Sequence, residues 1–264
     1  FRIDRYSSFT SIGTTIFYLV TFIFSPERRK LTMKKFWGFY KNESYSVGCN
    51  GRTVYIYDLT GKELAKFRNF PSAHTAAFKP DSNMIAVKST AGDLGFYDLD
   101  SLSLLKKIIV TRIGAQDEGF GFTPDGKYFY NIEKPVDSCQ TQLGIYDAES
   151  FEKVNTLFAN ESKMALKNLE FDKETGVCYV LGFMRDDSSG VFDYGFVGKL
   201  DAESSSVTDL HALDTKQYDY LKWYKVWEET GFTEKALKWN PLNELDSIEE
   251  TSIKAVFDAV SFSN

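Results

Sequence analysis

Tyr97-Asp98-Leu99-Asp100-Ser101 closes an apolar, strand-like run, and three other stretches of this chain close such a run in the same way. They are Tyr57-Asp58-Leu59-Thr60-Gly61, Tyr146-Asp147-Ala148-Glu149-Ser150 and Leu200-Asp201-Ala202-Glu203-Ser204. An aspartate after a strand can cap the following turn, because its side chain accepts hydrogen bonds from backbone N–H groups two or three residues on. We therefore expect each of these four aspartates to end a strand and cap a tight turn.

The four stretches recur at intervals of 40 to 54 residues, and each is accompanied by further strand patterns. Before each stretch, two apolar runs flank a polar turn, and after it comes a short outer run. The paired runs span residues 39–47, 77–87, 121–130 and 169–180, and the outer runs span 63–67, 103–108, 153–157 and 206–210. Four strands repeated at this period predict an all-β fold, namely a small β-propeller of about five four-stranded blades with a partly helical C-terminal segment.

Two of these stretches and one histidine carry a family resemblance. Tyr57-Asp58-Leu59-Thr60-Gly61-Lys62-Glu63-Leu64 is similar to the ending of a WD repeat, with Tyr in place of Trp. Phe122-Thr123-Pro124-Asp125-Gly126 resembles the Phe-Ser-Pro-Asp-Gly turn of bacterial WD40-like and YVTN-type propellers, and His74 stands where the WD-repeat histidine does. The resemblance covers residues 36–213, although no other unit has the histidine and no Trp-Asp pair occurs. It implies a propeller that often serves as a protein-binding scaffold.

Composition and charge limit the classes of function. Of the 264 residues, 43% are hydrophobic and 16% aromatic, which is enough to build a substantial core. The formal net charge is −6, so the chain lacks the excess of Lys and Arg that nucleic-acid binding needs. Cys49, Cys139 and Cys178 have no metal-ligand spacing, and with only His74 and His211 a histidine-based metal site is not expected.

Residues 1–32 form a separate N-terminal extension in our interpretation. They carry five basic and two acidic groups, and residues 9–24 are uncharged and rich in apolar residues. Three alternatives remain open: a membrane anchor or export signal, a buried strand, and upstream sequence translated ahead of a natural start at Met33. The third alternative is motivated by Glu27-Arg28-Arg29, which is followed by Met33-Lys34-Lys35. If the two arginines are encoded by AGG codons, those codons would form a ribosome-binding site just upstream of a start codon at Met33. On that hypothesis the protein is bacterial and cytoplasmic, and it is anchored or exported only if residues 1–32 are native.

Residues 214–264 depart from the repeat, and the propeller blades are therefore assigned to residues 33–213. Ala236-Leu237-Lys238-Trp239-Asn240-Pro241 repeats the strand-and-turn pattern, which predicts a degenerate last blade. Residues 245–259 have apolar positions at helical spacing, which predicts a C-terminal helix with Val256 and Ala259 on its apolar side. A ring of this kind closes either with a strand from the opposite terminus or with a strand from a partner.

No catalytic, cofactor-binding or metal-binding set is predicted. Asp58, Asp98, Asp147 and Asp201 are expected to be turn caps rather than ligands. His74 has no Ser or Cys at a recognisable spacing, and the acidic pairs Asp117-Glu118 and Asp186-Asp187 lack the Asp-x-Asp-x-Asp-Gly pattern of a calcium loop. The glycines lack the Lys-Ser or Lys-Thr that completes a phosphate-binding loop.

The aromatic cluster Trp223, Tyr224, Trp227 and Trp239 is the predicted partner-binding site, with core packing as its alternative. The function we expect is a non-catalytic interaction scaffold that binds a protein or peptide on one face of the propeller. We do not expect it to bind nucleic acid, and we expect it to contact a membrane only if residues 9–24 are an anchor. The alternative is a small-molecule or glycan-binding or hydrolytic propeller, which would need polar side chains converging on the central channel.

Overall fold

The computed structural model describes residues 34–68, 70–112, 116, 119–135, 140–185, 192–213, 237–239 and 252–262. By its internal contacts the chain divides into two units, Phe1–Thr32 and Met33–Asn264, and all of the described residues belong to the second. The alternatives for the N-terminal extension therefore concern residues outside the described ones.

Most of the strands form four antiparallel sheets, each made of four strands that are consecutive in the chain. Sheet 1 contains β2 (Gly38–Lys41), β3 (Tyr45–Cys49), β4 (Val54–Asp58) and β5 (Glu63–Phe67). Sheet 2 contains β6 (Ala73–Phe78), β7 (Met84–Ser89), β8 (Asp93–Asp98) and β9 (Ser103–Ile109). Sheet 3 contains β10 (Phe120–Phe122), β11 (Tyr128–Glu133), β12 (Gln142–Asp147) and β13 (Lys153–Leu157). Sheet 4 contains β14 (Met164–Phe171), β15 (Cys178–Arg185), β16 (Phe192–Asp201) and β17 (Ser206–Leu213).

The first strands of successive sheets lie beside one another, because β2 contacts β6, β6 contacts β10 and β10 contacts β14. The approach is close: a Cβ atom added to Gly38 would lie 2.6 Å from the His74 carbonyl oxygen. The four sheets are thus arranged side by side around their first strands, with the fourth strands outermost. This is a propeller-like all-β architecture.

The blade count of about five is wrong for the part of the chain that the structure describes, which contains four four-stranded sheets. In place of a fifth, β1 (Lys34–Phe36) pairs with β18 (Leu237–Trp239) in a two-stranded antiparallel sheet. Trp239 pairs with Lys34 in this sheet, so a C-terminal strand pairs with the first described strand. The strand-like part of the expected degenerate blade is therefore present, but it pairs with the N-terminal strand.

Apolar side chains fill the space between neighbouring sheets. In a strand such as β7, alternate side chains point toward the sheet on one side and toward the sheet on the other side. Ile85 and Val87 of β7 belong to the core between sheets 1 and 2, whereas Met84 and Ala86 belong to the core between sheets 2 and 3. All six residues of β7 are buried in consequence. Periodicity of two in a strand buried on both faces explains why these runs are apolar throughout.

The two outward faces of this arrangement are covered by the ends of the described chain. Phe36 of β1 is fully buried against Tyr55 and Tyr57 of sheet 1. Helix α1 (Ile253–Ser261) packs on sheet 4 through Ile253 and Phe257.

The helix confirms the expected helical C-terminal segment but corrects its apolar side. Ala259 is exposed and Val256 is only half-buried, so neither lies at the centre of the packed face. The structure starts the helix after Ser252, whose hydroxyl accepts from the Ala255 N–H and donates to Glu170 of β14. The buried side of the helix is instead formed by Ile253 and Phe257, which pack on sheet 4. Within the described residues, no helix has the length and apolar character needed to cross a membrane.

Candidate functional site

The four aspartates of the repeat cap their own turns, as the sequence predicted. Each accepts two backbone N–H groups at 2.8–3.2 Å, the donors being Thr60 and Lys62, Asp100 and Ser101, Glu149 and Ser150, and Glu203 and Ser204. Hydroxyl groups of Thr60 and Ser150 add bonds to Asp58 and Asp147. These turns lie at what we call the turn end of the sheets, which also holds the turns between first and second strands. The carboxylates there are committed to local structure.

Acid should destabilise the protein through these caps. Hydrogen bonds from hydroxyl and backbone N–H groups lower the pKa of Asp58, Asp98, Asp147 and Asp201. A carboxyl whose pKa is lower in the folded state contributes stability above its unfolded pKa of about 3.9 and loses it as the pH falls through the folded value. We therefore expect the urea concentration at the unfolding midpoint to decrease once the pH is lowered below about 4, where these four carboxyl groups become protonated.

A variant with all four aspartates changed to asparagine provides the control for this pH dependence. Asparagine retains a capping oxygen but does not titrate, so the acid-induced fall in the urea midpoint should become shallower. An equally steep fall in the variant would show that other carboxyl groups control acid unfolding.

The opposite end, which we call the loop end, holds the links between second and third strands and the links from sheet to sheet. Asp93, the first residue of β8, has a fully buried side chain there. Arg112, in the link from sheet 2 to sheet 3, donates from Nη1 to Oδ2 at 2.8 Å and from Nη2 to Oδ1 at 3.1 Å. Lys107 of β9 lies 3.5 Å from Oδ1. A buried carboxylate with bidentate guanidinium bonding is a rigid ion pair, and it fixes Arg112 at the surface.

A glutamine joins the turn before β8 to the end of β11 in sheet 3. Gln116 is 2% exposed, and its backbone N–H donates to the Thr90 carbonyl in the turn before β8. Its side-chain amide donates to the Lys134 carbonyl at 3.1 Å and accepts from the Lys134 N–H at 3.0 Å. Lys88 of β7 is also buried and donates from Nζ to the Ile132 carbonyl at 2.7 Å. Sheets 2 and 3 are thus tied together at the loop end by polar bonds, above an apolar core.

A second buried carboxylate lies between sheets 2 and 3. Glu133 is 1% exposed and accepts from the Tyr146 hydroxyl at 2.5 Å and the Lys153 ammonium at 2.8 Å. The amides of Asn131 and Gln142 donate to the same carboxylate at 3.2 and 3.1 Å. Both oxygens therefore have two donors, so Glu133 is satisfied as a structural group and has no spare lone pair for a ligand. Burial, followed by the Glu133 charge, raises the pKa of Tyr146.

The structure leaves most of the predicted partner-binding cluster outside the described residues. Trp223, Tyr224 and Trp227 lie there, and of Trp239 only the backbone is described, paired in β18. The acidic pairs Asp117-Glu118 and Asp186-Asp187, and Cys139, lie there as well. His74 is described on β6, and its ring stacks on Trp37 at 6.0 Å with an interplanar angle of 17°. Its surroundings are those of a packing residue.

Sequence reasoning missed Asp93 and Glu133, although a signal for both exists. Asp93-Leu94-Gly95-Phe96-Tyr97-Asp98 and Gln142-Leu143-Gly144-Ile145-Tyr146-Asp147 share one pattern, with glycine two residues before the tyrosine. A charged residue at the start of such an apolar strand faces the same junction as the tyrosine, because side chains alternate with a period of two. Glu133 pairs with Gln142 across the sheet and so belongs to the same position.

The described side chains offer no set of groups suited to catalysis or metal binding. They contain no cluster of three or more His, Cys, Asp or Glu side chains that could hold a metal ion. Cys49 and Cys178 are buried free thiols; burial raises the pKa of Cys49 to about 12 and also raises the pKa of Cys178. Such thiols stay protonated at neutral pH and are poor nucleophiles. What the described residues of the loop end provide is a hydrogen-bonded polar surface with Arg112 at its edge.

The fold and this surface define a propeller-like all-β domain. No protein-family model matches the sequence, and no curated protein matches it. Among solved structures, the chain is similar to a chain of Kuenenia stuttgartiensis hydrazine synthase, with a TM-score of 0.55 and 17% identity. The match covers 72% of this chain and 52% of that one, so this chain spans about half the length of its structural neighbour. At this identity the likeness shows the fold alone.

Proposed function

We propose that this chain is a non-catalytic scaffold that binds a protein or peptide partner at the loop end of its sheets. The observation that carries the proposal is the buried Asp93 carboxylate, which fixes Arg112 while leaving 53% of the Arg112 side chain exposed. A side chain that is already ordered loses little conformational entropy on binding. Arginine is also enriched among residues that dominate binding energy at protein interfaces.

The neighbouring residues support the same surface. Lys107 keeps 31% of its side chain exposed beside Asp93 and lies 5.6 Å above the ring of Phe70. Two cations, Arg112 and Lys107, therefore contact one buried carboxylate. We expect the partner to present acidic or carbonyl groups to Arg112, with the loops of sheets 2 and 3 providing the surrounding contacts.

The central-channel alternative is less well supported by the described residues. Its polar side chains would have to converge between the first strands, yet the chain is closely packed at Gly38 of β2 and at Gly119, the residue before β10. A Cβ atom at Gly119 would lie 2.1 Å from Asn168 Oδ1, and one at Gly38 would lie 2.6 Å from the His74 carbonyl oxygen. Packing of this kind favours recognition on a face over chemistry on the axis.

A pair of neutral double variants tests the proposal. Asp93→Asn with Arg112→Gln removes both charges together, so no buried charge is left unpaired. Asp125→Asn with Lys127→Gln makes the same change in an exposed pair at the turn end, where the two charges lie 3.2 Å apart. Partners captured by the full chain from lysate of its source cells, and identified by mass spectrometry, should bind the loop-end variant about tenfold more weakly.

The turn-end variant should bind as the unchanged chain does. Equal binding to all three proteins would contradict the loop-end site, and equal loss in both variants would show that the effect is not specific to Arg112. Far-ultraviolet circular dichroism and melting temperatures establish that each variant is folded before its binding is compared.

A further inference from the structure

Two stacked tyrosines and a glutamate surround the ammonium group of Lys34. The Nζ atom of Lys34 lies 4.1 Å from the centroid of the Tyr55 ring and 5.3 Å from that of Tyr57. It donates to Glu63 Oε2 at 2.6 Å and to the Tyr57 hydroxyl at 3.0 Å. Aromatic faces attract cations through the ring quadrupole, and an adjacent carboxylate adds direct charge pairing. These are the components of a cage for an alkylammonium ion.

The tyrosine of the Tyr-Asp repeat occurs in sheets 1, 2 and 3, and sheet 1 differs from the other two in the residue two positions before it. In sheets 2 and 3 the residue two positions before that tyrosine is glycine, Gly95 or Gly144, whereas in sheet 1 it is Tyr55. The rings of Tyr55 and Tyr57 therefore stack along β4, with centroids 6.1 Å apart and an angle of 15°. They lie on the outward face of sheet 1, where β1 covers them rather than another four-stranded sheet.

Lys34, whose ammonium group occupies this cage, belongs to a short strand. β1 has three residues, and its buried anchor against sheet 1 is Phe36, two positions after Lys34. The side chains of Lys34 and Glu63 are each 33% exposed, so solvent reaches the site. Lys66 lies 3.3 Å from the other carboxylate oxygen of Glu63, Oε1. Of these two lysines, Lys34 is therefore the one that contacts Oε2. Removal of the Lys34 side chain would thus vacate one aromatic-lined position beside a carboxylate oxygen.

We propose that Tyr55, Tyr57 and Glu63 form a binding site for an alkylammonium group, which Lys34 fills within this chain and which an external primary amine or lysine side chain can fill in its place. Lys34 competes at the high effective concentration of a tethered group. External amines therefore bind weakly to the unchanged chain and more tightly once Lys34 is shortened. The site lies on sheet 1 and is separate from the loop-end surface around Arg112.

The test is chemical rescue of Lys34→Ala in the full chain. We expect n-propylammonium, which reproduces the part of the lysine side chain beyond Cβ together with its charge, to raise the melting temperature of this variant by about 4 °C at ten times its dissociation constant. Sodium chloride at equal ionic strength and 1-propanol, which lacks the charge, should give no saturable rise. The unchanged chain should respond only at much higher amine concentration.

Two further arms make the outcome decisive. Glu63→Gln added to Lys34→Ala should abolish the rescue, because the carboxylate is lost while the rings remain. A short peptide with one lysine, compared with the same peptide acetylated on that lysine, shows whether the source is a protein side chain or only a free amine. If Lys34→Ala does not fold, Lys34→Val with ethylammonium replaces it. Absence of a saturable, Glu63-dependent rise overturns the proposal.

Discussion

Replacement of Gly92 with alanine is expected to destabilise the protein by more than about 3 kcal/mol. Gly92 lies in the turn between β7 and β8 with φ +92°, a region that costs an alanine about 1–2 kcal/mol. A Cβ atom there would also lie 2.0 Å from the Thr111 carbonyl oxygen and 2.9 Å from its carbonyl carbon. Both contacts are with backbone, so no side chain can rotate away.

The displaced backbone is the segment that supplies Arg112. The N–H of Val110 donates to the Gly92 carbonyl at 2.9 Å, and Thr111 directly precedes the arginine that holds Asp93. Movement of Thr111 therefore weakens the buried ion pair as well as the turn. Loss of a well-formed partner for a buried carboxylate is costly, which is why the expected effect exceeds that of backbone strain alone.

Gly176→Ala is the matched control. Gly176 also has a positive φ, +75°, but a Cβ atom added to it meets nothing within 4 Å. Gly176→Ala should incur only the conformational cost of the positive φ, about 1–2 kcal/mol. Urea unfolding of both variants measures the difference directly. Similar losses at the two positions would show that the approach of Thr111 to Gly92 is relieved without cost.

The repeat predicted local structure well because its signals are local. The expected outer strands at 63–67 and 153–157 agree with β5 and β13, and those at 103–108 and 206–210 begin where β9 and β17 begin. The capping aspartates were also predicted correctly, since an Asp-turn needs only its own backbone neighbours. Strand ends and caps are set within a few residues, and a single sequence contains that information.

The remaining features depend on contacts between distant residues. The pairing of β1 with β18 joins residues about two hundred positions apart, and no short-range pattern encodes it. The same holds for Asp93 and Arg112, where a charge inside an apolar run is stable only because a later loop supplies its partner. The blade count depended on these long-range pairings, and it proved wrong for the described residues.

The tyrosines Tyr57, Tyr97 and Tyr146 occupy the same repeat position, but their hydroxyl groups differ in hydrogen bonding because their surroundings differ. The Tyr57 hydroxyl accepts from Lys34, and the Tyr146 hydroxyl donates to Glu133. The Tyr97 hydroxyl is buried and has no hydrogen-bond partner among the described residues. In sheet 3 the Glu133 carboxylate lies over Gly144, whereas in sheet 2 the ring of Phe70 lies over Gly95. An apolar ring thus occupies the place of the acceptor, and burial raises the pKa of Tyr97.

Tyr146→Phe and Tyr97→Phe should therefore have opposite effects on the free energy of unfolding. Tyr146→Phe removes a donor from a buried carboxylate and should cost about 1.5–3 kcal/mol. Tyr97→Phe removes a hydroxyl that has lost its water without gaining a partner, so it should be neutral or stabilise by up to about 1 kcal/mol.

Each variant is the control for the other, since both delete one oxygen atom from a buried tyrosine at the same repeat position. Urea unfolding curves at pH 7 give both values under identical conditions. Adding Glu133→Gln to each variant extends the comparison: it should reduce the cost of Tyr146→Phe, because the lost bond no longer involves a charge, and leave that of Tyr97→Phe unchanged. A cost of more than about 1 kcal/mol for Tyr97→Phe would mean that its hydroxyl has a partner, for instance an internal water bound between Tyr97 and Asp93.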